Sequence, residues 1–203
     1  VYEKGTPTEF YNWYGTPETD TYDGRLRSIT NPAIGNHEYD GGAAGYFDYW
    51  SGKDRPTGDR DAGYYSFDLG AWHLVALNSN CAKVGCENGS AQFEWLEDDL
   101  AASDAECTLA YWHHPRFSSG HDGDNGTVAS MYAELYEAGA EILLAGHSHN
   151  YERFEPQDPD GNEDQAAGIR EFVVGTGGAF FTGFTDTKAN SVVRNNRTFG
   201  ILE

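Results

Sequence analysis

The segment Glu141-Ile142-Leu143-Leu144-Ala145-Gly146-His147-Ser148-His149 decides how this chain is read. Its apolar run is too short for a stable helix and has the length of a buried strand. Gly146 ends the run, and two imidazoles follow in the loop. A strand that delivers polar groups at its carboxyl end is the building unit of ligand sites in open α/β sheets.

Working outward, the same grammar recurs. Cys107–Trp112 reads as a strand that runs into His113 and His114, and 169–175 reads as a later strand. Tyr64–Leu69 and Trp72–Asn78 are β-prone runs joined by Gly70-Ala71, a predicted hairpin. A further short strand is predicted near Ser28–Ile34, leading to Asn36 and His37. Helices are predicted in three places. Thr6-Pro7-Thr8-Glu9 has a capping-box pattern with proline at the first helical position, which starts a helix reaching about Trp13. Ser90 can cap a helix whose Phe93, Leu96 and Leu100 share one face. Val128–Ala138 reads as the third. Residues 39–62, rich in Gly, Asp and Tyr, read as irregular surface. Strands alternating with helices argue for an α/β fold, and the hairpin makes its sheet mixed.

The composition bounds the function. The 203 residues carry 33 acidic and 13 basic side chains, a formal charge of −20, which excludes a general nucleic-acid surface and docking on anionic lipid through a basic patch. No apolar run approaches the ~20 residues of a membrane helix. The acid excess with few lysines fits either a protein of concentrated salt or an ordinary acidic secreted protein. The length fits one domain. Met131 is the only methionine, so Val1 is not read as a translation start, and the chain is expected to be a processed form or a fragment. Cys81 and Cys86 lie close enough to bridge in an oxidising compartment, which favours an extracellular or otherwise extracytoplasmic location; Cys107 reads as a small core residue.

The seven histidines carry the chemistry. Asn36 and His37, His113 and His114, and His147 and His149 each follow a predicted strand, so imidazoles converge on one sheet edge. Neutral imidazole is the commonest metal ligand, and one metal-binding cause explains the clustering where solvated surface histidines would not. In an extended segment, His147 and His149 fall on one side, spaced for one ion or two adjacent ones. His114 would point away from His113 if the strand continued, giving it a packing or supporting role. His73, mid-strand within Trp72–Leu77, reads as structural. No second Cys or His pair stands at zinc-finger spacing from Cys81 and Cys86. Asp158–Asp164 lacks the EF-hand spacing and reads as a solvated loop.

Gly35-Asn36-His37-Glu38, His113-His114-Pro115 and Gly146-His147-Ser148-His149 resemble, in order, the G-N-H-[DE], H-x-P and G-H-x-H motifs of calcineurin-like metallophosphoesterases. Asn150-Tyr151-Glu152-Arg153 brings the resemblance closer to the purple acid phosphatase branch. The resemblance implies a mixed-sheet α-β-β-α sandwich and hydrolysis of small phosphate esters, monoesters before diesters, at two ions of Fe, Zn or Mn. It implies Asn36, His113 and His147 as ligands of one ion and His149 of the other. His37 would approach the substrate phosphate and its leaving group, and its ordinary pKa suits protonation of an alkoxide. His121, in the loop 116–126 after H-x-P, would contact phosphate or else be an exposed loop histidine.

The family's two earlier motifs, an Asp-x-Gly and a Gly-Asp-x-x-Tyr, do not occur upstream of Gly35. Tyr2 would be the closing tyrosine of the second, a ferric-ion ligand, or else a terminal aromatic. The chain therefore reads as one partial catalytic domain over residues 1–203, short at its N-terminus. Phe199-Gly200-Ile201-Leu202 looks like a strand just beginning, so its C-terminus reads as short too. Without the bridging carboxylate, hydrolysis by these residues alone is expected to be weak. The competing class is a non-catalytic metal- or ligand-binding module that retains the fold.

Overall fold

A computed structural model describes residues 2–16, 26–51, 57–60 and 62–203. The described strands form one seven-stranded mixed sheet flanked by helices. In chain order the elements are α1 (Pro7–Tyr14), α2 (Asn36–Asp40), α3 (Ala44–Trp50), β1 (Tyr65–Leu69), β2 (Trp72–Ala76), α4 (Cys81–Val84), α5 (Ala91–Ala102), β3 (Cys107–Tyr111), α6 (Ala129–Glu137), β4 (Ile142–Ala145), β5 (Tyr151–Phe154), β6 (Arg170–Val174) and β7 (Ser191–Asn195). The strand order is β1-β2-β3-β4-β6-β5-β7.

The predicted hairpin forms, with Leu69 opposite Trp72 across Gly70-Ala71. Strands β2, β3, β4 and β6 run parallel, β5 returns antiparallel beside β6, and β7 pairs antiparallel with β5 and so runs with the parallel set. Alternation along the parallel strands sends Val75, Ala110, Leu143 and Val173 to one face, where all are fully buried. Helices α5 and α6 cover that face through Phe93, Leu96, Met131 and Leu135. The Ser90 hydroxyl accepts from the Phe93 amide, so the cap read from sequence is real. The Thr6–Glu9 capping box also forms and starts α1 at Pro7.

Several expectations are corrected. Ser28–Ile34 is not a strand: Arg27–Ile29 form a 3-10 turn and the rest is irregular. The described part of 39–62 is not irregular surface, because α3 buries Tyr46, Phe47, Tyr49 and Trp50 in a second core around Phe10. Phe10 stacks on Tyr49 with ring centroids 5.0 Å apart, and Trp50 meets it edge-on at 6.2 Å. Those apolar contacts stabilise a helix that local propensity does not favour. Residues 52–56 and 61 of that stretch lie outside the described residues. Phe199–Leu202 forms no strand and is exposed. Cys107 is half-buried at the sheet end rather than in the core. Cys81 and Cys86 form a disulfide.

Candidate metal centre

The carboxyl ends of three adjacent parallel strands build the site. Pairing outlasts the strands themselves: the Leu77 amide donates to Tyr111, Trp112 to Leu144, and Gly146 to the His113 carbonyl at 2.9 Å. This extended ladder sets Ser79 beyond β2, His113 and His114 beyond β3, and His147 beyond β4 side by side. Asn36 and His37 arrive differently, in the first turn of α2 rather than behind a strand. The Glu38 carboxylate turns back to accept the Gly35 amide at 2.7 Å, which fixes that turn.

Two glycines are required here by close approach. A Cβ on Gly35 would sit 2.9 Å from His113 Nδ1 and 3.0 Å from Glu38 Oε2. A Cβ on Gly175, just past β6, would fall 1.9 Å from the Ser148 carbonyl oxygen. Strain also marks the site. His147 has φ +60°, a left-handed conformation uncommon for a residue with a side chain. The Ser148 amide donates to the Gly146 carbonyl, and the Asn150 amide to the Ser148 carbonyl, each at 2.7 Å. His147-Ser148-His149 is therefore tightly turned, not extended as expected, and its two imidazoles take different partners.

His113 Nε2 lies 2.7 Å from Asn36 Oδ1 and 3.2 Å from His147 Nδ1. Two ring nitrogens and an amide oxygen thus face one another across hydrogen-bond distances. Ligands on a tetrahedral ion with bonds of ~2.0–2.1 Å stand about 3.3 Å apart, so this donor set fits a transition-metal ion. His149 lies to the side and its Nδ1–H donates to the Phe180 carbonyl at 2.9 Å, which leaves Nε2 as its lone-pair donor. His37 is exposed and built the same way: Nδ1–H donates to the Glu3 carbonyl at 2.7 Å, leaving Nε2 free to meet a ligand. A backbone acceptor on one ring nitrogen fixes tautomer and orientation for work at the other.

The electrostatics favour neutral rings. Burial pushes the His113 pKa well below its ordinary value, and the surrounding charges of His114, His147, His37 and His149 act in the same sense. Burial lowers His147 too, with Asp122 opposing. His114 is lowered to about 4, chiefly by burial and then by His147. Neutral imidazoles present lone pairs, the form a metal requires.

His114 is the functional candidate that strand alternation misplaces. Regular strand geometry ends at Tyr111, so the expectation that its side chain opposes His113 does not hold. Its ring centroid lies 4.5 Å from that of His147 and 4.9 Å from that of His113. Together His113, His114 and His147 are the one group of three or more His, Cys, Asp or Glu among the described residues with metal-binding spacing. A cavity of about 130 Å³ opens beside His114 and His147, with Asp122 and Asp124 on its wall.

The remaining predicted residues are more distant from the cluster. His121 is exposed in its loop, with Nδ1 3.5 Å from Asp122. Tyr2 is partly buried, packs on Phe10 at 4.9 Å and donates its hydroxyl to Glu38. Burial and the Glu38 charge raise its pKa, so the phenol stays protonated. Tyr2 thus abuts the turn that carries Asn36 and His37. His73 is structural, as expected, held between two aspartates at the other end of the sheet.

Two buried glutamates, whose role sequence reasoning did not single out, hold the loop after His114. Glu171 on β6 accepts the amides of Arg116 at 2.8 Å and Phe117 at 3.1 Å. Glu152 on β5 accepts the Ser119 amide at 2.8 Å and the Ser191 hydroxyl. Burial raises Glu171 to about 8 against the pull of its two amide donors and of Arg116.

The chain is similar to known proteins. The chain is 34% identical over 113 residues to probable purple acid phosphatase 20 of Arabidopsis thaliana, covering 52% of this chain and 26% of that protein. Purple acid phosphatase 23 of the same plant is 32% identical over 173 residues, 74% of this chain and 37% of its own length. The chain thus spans roughly a quarter to a third of these relatives. The structure of purple acid phosphatase PPD1 from yellow lupin (Lupinus luteus) seeds superposes with a TM-score of 0.68 at 21% identity, over 83% of this chain and 32% of that one, and has the same fold. The calcineurin-like phosphoesterase family model matches residues 12–151, well over half of the 203 residues and all three histidine motifs, and the chain belongs to that family.

Proposed function

We propose that this chain carries part of the active site of a metal-dependent phosphoesterase that hydrolyses small phosphate esters, monoesters foremost. The observation that carries the reading is the convergence of Asn36 Oδ1, His113 Nε2 and His147 Nδ1 within 2.7–3.2 Å contacts. Those three groups hold one ion, and His149, through Nε2, serves a second in a dinuclear centre of Fe, Zn or Mn. Bound metal supplies a water of lowered pKa and positive charge toward phosphoryl oxygens.

The chain's own residues do the rest. Asn36 is a neutral ligand and adds no negative charge where an anionic substrate must bind. His37, exposed and oriented by the Glu3 carbonyl, gives a proton from Nε2 to the leaving alkoxide when protonated. His121, on a solvent-facing loop, meets the outer phosphate oxygens. Tyr2, whose hydroxyl donates to Glu38, would join the centre only by giving up that proton on binding a ferric ion. Residues 1–203 act as one partial catalytic domain in this reading. The carboxylates that the family places ahead of the G-N-H-[DE] motif have no counterpart upstream of Gly35, so turnover by these residues alone is expected to be weak. The Cys81–Cys86 disulfide supports an oxidising, extracytoplasmic setting.

The test is hydrolysis of p-nitrophenyl phosphate by the protein loaded with Mn²⁺, Zn²⁺ or iron, both as these residues and extended upstream. Release of p-nitrophenol that chelation abolishes is the expected result. His37→Ala should lower turnover by about 10²–10⁴-fold with metal content unchanged. Tight metal binding without hydrolysis in every form would instead identify a non-catalytic binding module.

A further inference from the structure

We propose that Glu152 and Glu171 are positioning residues, whose buried carboxylates clamp residues 116–119 into a buttress for the turn that carries His147 and His149. The inference rests on the metal-centre reading above, in which that turn bears one ligand for each of the two ions. It also gives a part to Glu152 of the Asn150–Arg153 stretch, to which the chemistry above assigns none.

Three observations carry it. First, residues 116–119 lie outside helix and strand, yet their four consecutive amides all donate to carboxylates. Glu171 accepts Arg116 and Phe117, Asp124 accepts Ser118 at 2.9 Å, and Glu152 accepts Ser119. Glu152 and Glu171 are fully buried, and a carboxylate out of water is tolerated only where hydrogen bonds replace its hydration. Bonds of this kind, made from the sheet, fix the path of a backbone that has no regular structure of its own. Second, the clamped loop touches the turn. Ser118 Oγ lies 3.3 Å from Ser148 Oγ. A Cβ on Gly120 would stand 2.9 Å from Asn150 Nδ2 and 3.0 Å from Ser148 Oγ, so no slack separates the two segments. Third, the turn is strained at His147, with φ +60°, and a strained residue persists only where its surroundings hold it. The end of β6 also holds the turn, through the Gly175 amide that donates to the Asn150 carbonyl at 2.9 Å. Glu171 lies on β6 as well, so the turn and its buttress are tied to one strand.

Competition with a chromophoric chelator for Zn²⁺, and the visible spectrum of the Co²⁺-loaded chain, test the inference. Glu152→Leu and Glu171→Leu should each weaken Zn²⁺ binding by about 10–100-fold, the usual effect of losing a supporting partner, and shift the Co²⁺ bands. Glu152→Gln keeps an acceptor for the Ser119 amide and should restore both readouts. Glu171→Gln keeps one acceptor for two amides and should fall between. Asp99→Ala, destabilised at the other end of the sheet, controls for stability alone and should keep wild-type affinity and bands. Should the leucine variants not fold, Gly120→Ala decides: weakened binding supports the buttress, and wild-type binding overturns it. If the leucine variants melt lower but bind Zn²⁺ like wild type, the glutamates only stabilise the fold. The inference is then overturned while the metal-centre reading stands. Glu152→Gln as weak as Glu152→Leu would overturn the clamp too, because the charge and not the acceptor would then matter. A wild type that binds no Zn²⁺ removes the metal-centre reading itself.

Discussion

His73, buried within β2, and His113, half-buried just past the end of the neighbouring parallel strand β3, have been given opposite chemistry. His73 sits near the start of β2, where Nδ1 meets Asp68 at 2.8 Å and Nε2 meets Asp99 at 2.9 Å. Asp99 comes from α5 and also accepts the Ser66 hydroxyl at 2.7 Å, so the imidazole ties helix to hairpin. His113 lies past the far end of β3 and faces only an amide oxygen and other imidazoles. The two aspartates hold the His73 pKa above its ordinary value even though burial opposes them. At His113 burial, and after it the neighbouring imidazoles, lower it. Placement of carboxylates, not burial, separates a structural imidazole from a set of lone-pair donors. Among the described residues no carboxylate joins the His113–His114–His147 cluster, with Asp122 and Asp124 only lining the cavity beside it, whereas Asp68 and Asp99 bond directly to His73.

The comparison can be broken most severely at the cluster. His113→Ala removes the nitrogen that both Asn36 and His147 face, and metal affinity should fall beyond the 10–100-fold that losing an orienting partner costs. His73→Ala should leave affinity unchanged, and equal losses from the two variants in a metal titration would erase the distinction. Next in size is Asp99→Ala, which leaves the His73 ring and the Ser66 hydroxyl without their acceptor in a place where His73 is 6% exposed. Unfolding in denaturant should show a loss of about 1–3 kcal/mol with metal affinity intact.

A pH series sharpens the contrast further. Because the folded pKa of His73 is raised, its contribution is complete below the ordinary value of 6.5 and is lost as pH rises through the folded value. Stability measured across that window should therefore decline in wild type, and the slope should be shallower in Asp99→Asn. An unchanged slope would mean that His73 is not the titrating strut. The smallest effect belongs to Asp68→Asn. That carboxylate is 72% exposed, so its loss should cost no more than ~1 kcal/mol in the same unfolding experiment.

Much of this contrast was legible in the sequence, and the illegible part has physical reasons. Short apolar runs ending at Trp112 and Ala145 marked strands whose ends carry the histidines, because burial on a parallel sheet demands such runs. The Thr6–Glu9 box and the Ser90 cap were readable since capping is local chemistry. The helix Ala44–Trp50 was not, because what stabilises it is contact with Phe10, more than thirty residues away in sequence. His114 was misplaced because the alternation rule was carried three residues beyond the last regular pairing, at Tyr111. The strut at His73 was only half visible. Its position mid-strand argued for structure, but Asp99 lies on a helix, and nothing local in the sequence announces the pairing.

The central claim is that the strand-end imidazoles form a metal centre. X-ray absorption at the zinc edge of protein loaded with one equivalent of Zn²⁺ tests it most directly. The account predicts nitrogen and oxygen neighbours at ~2.0–2.1 Å with the outer-shell scattering of at least two imidazoles, a signature lost in His147→Ala. Sulfur neighbours, or an imidazole signature that survives in His147→Ala, would contradict it.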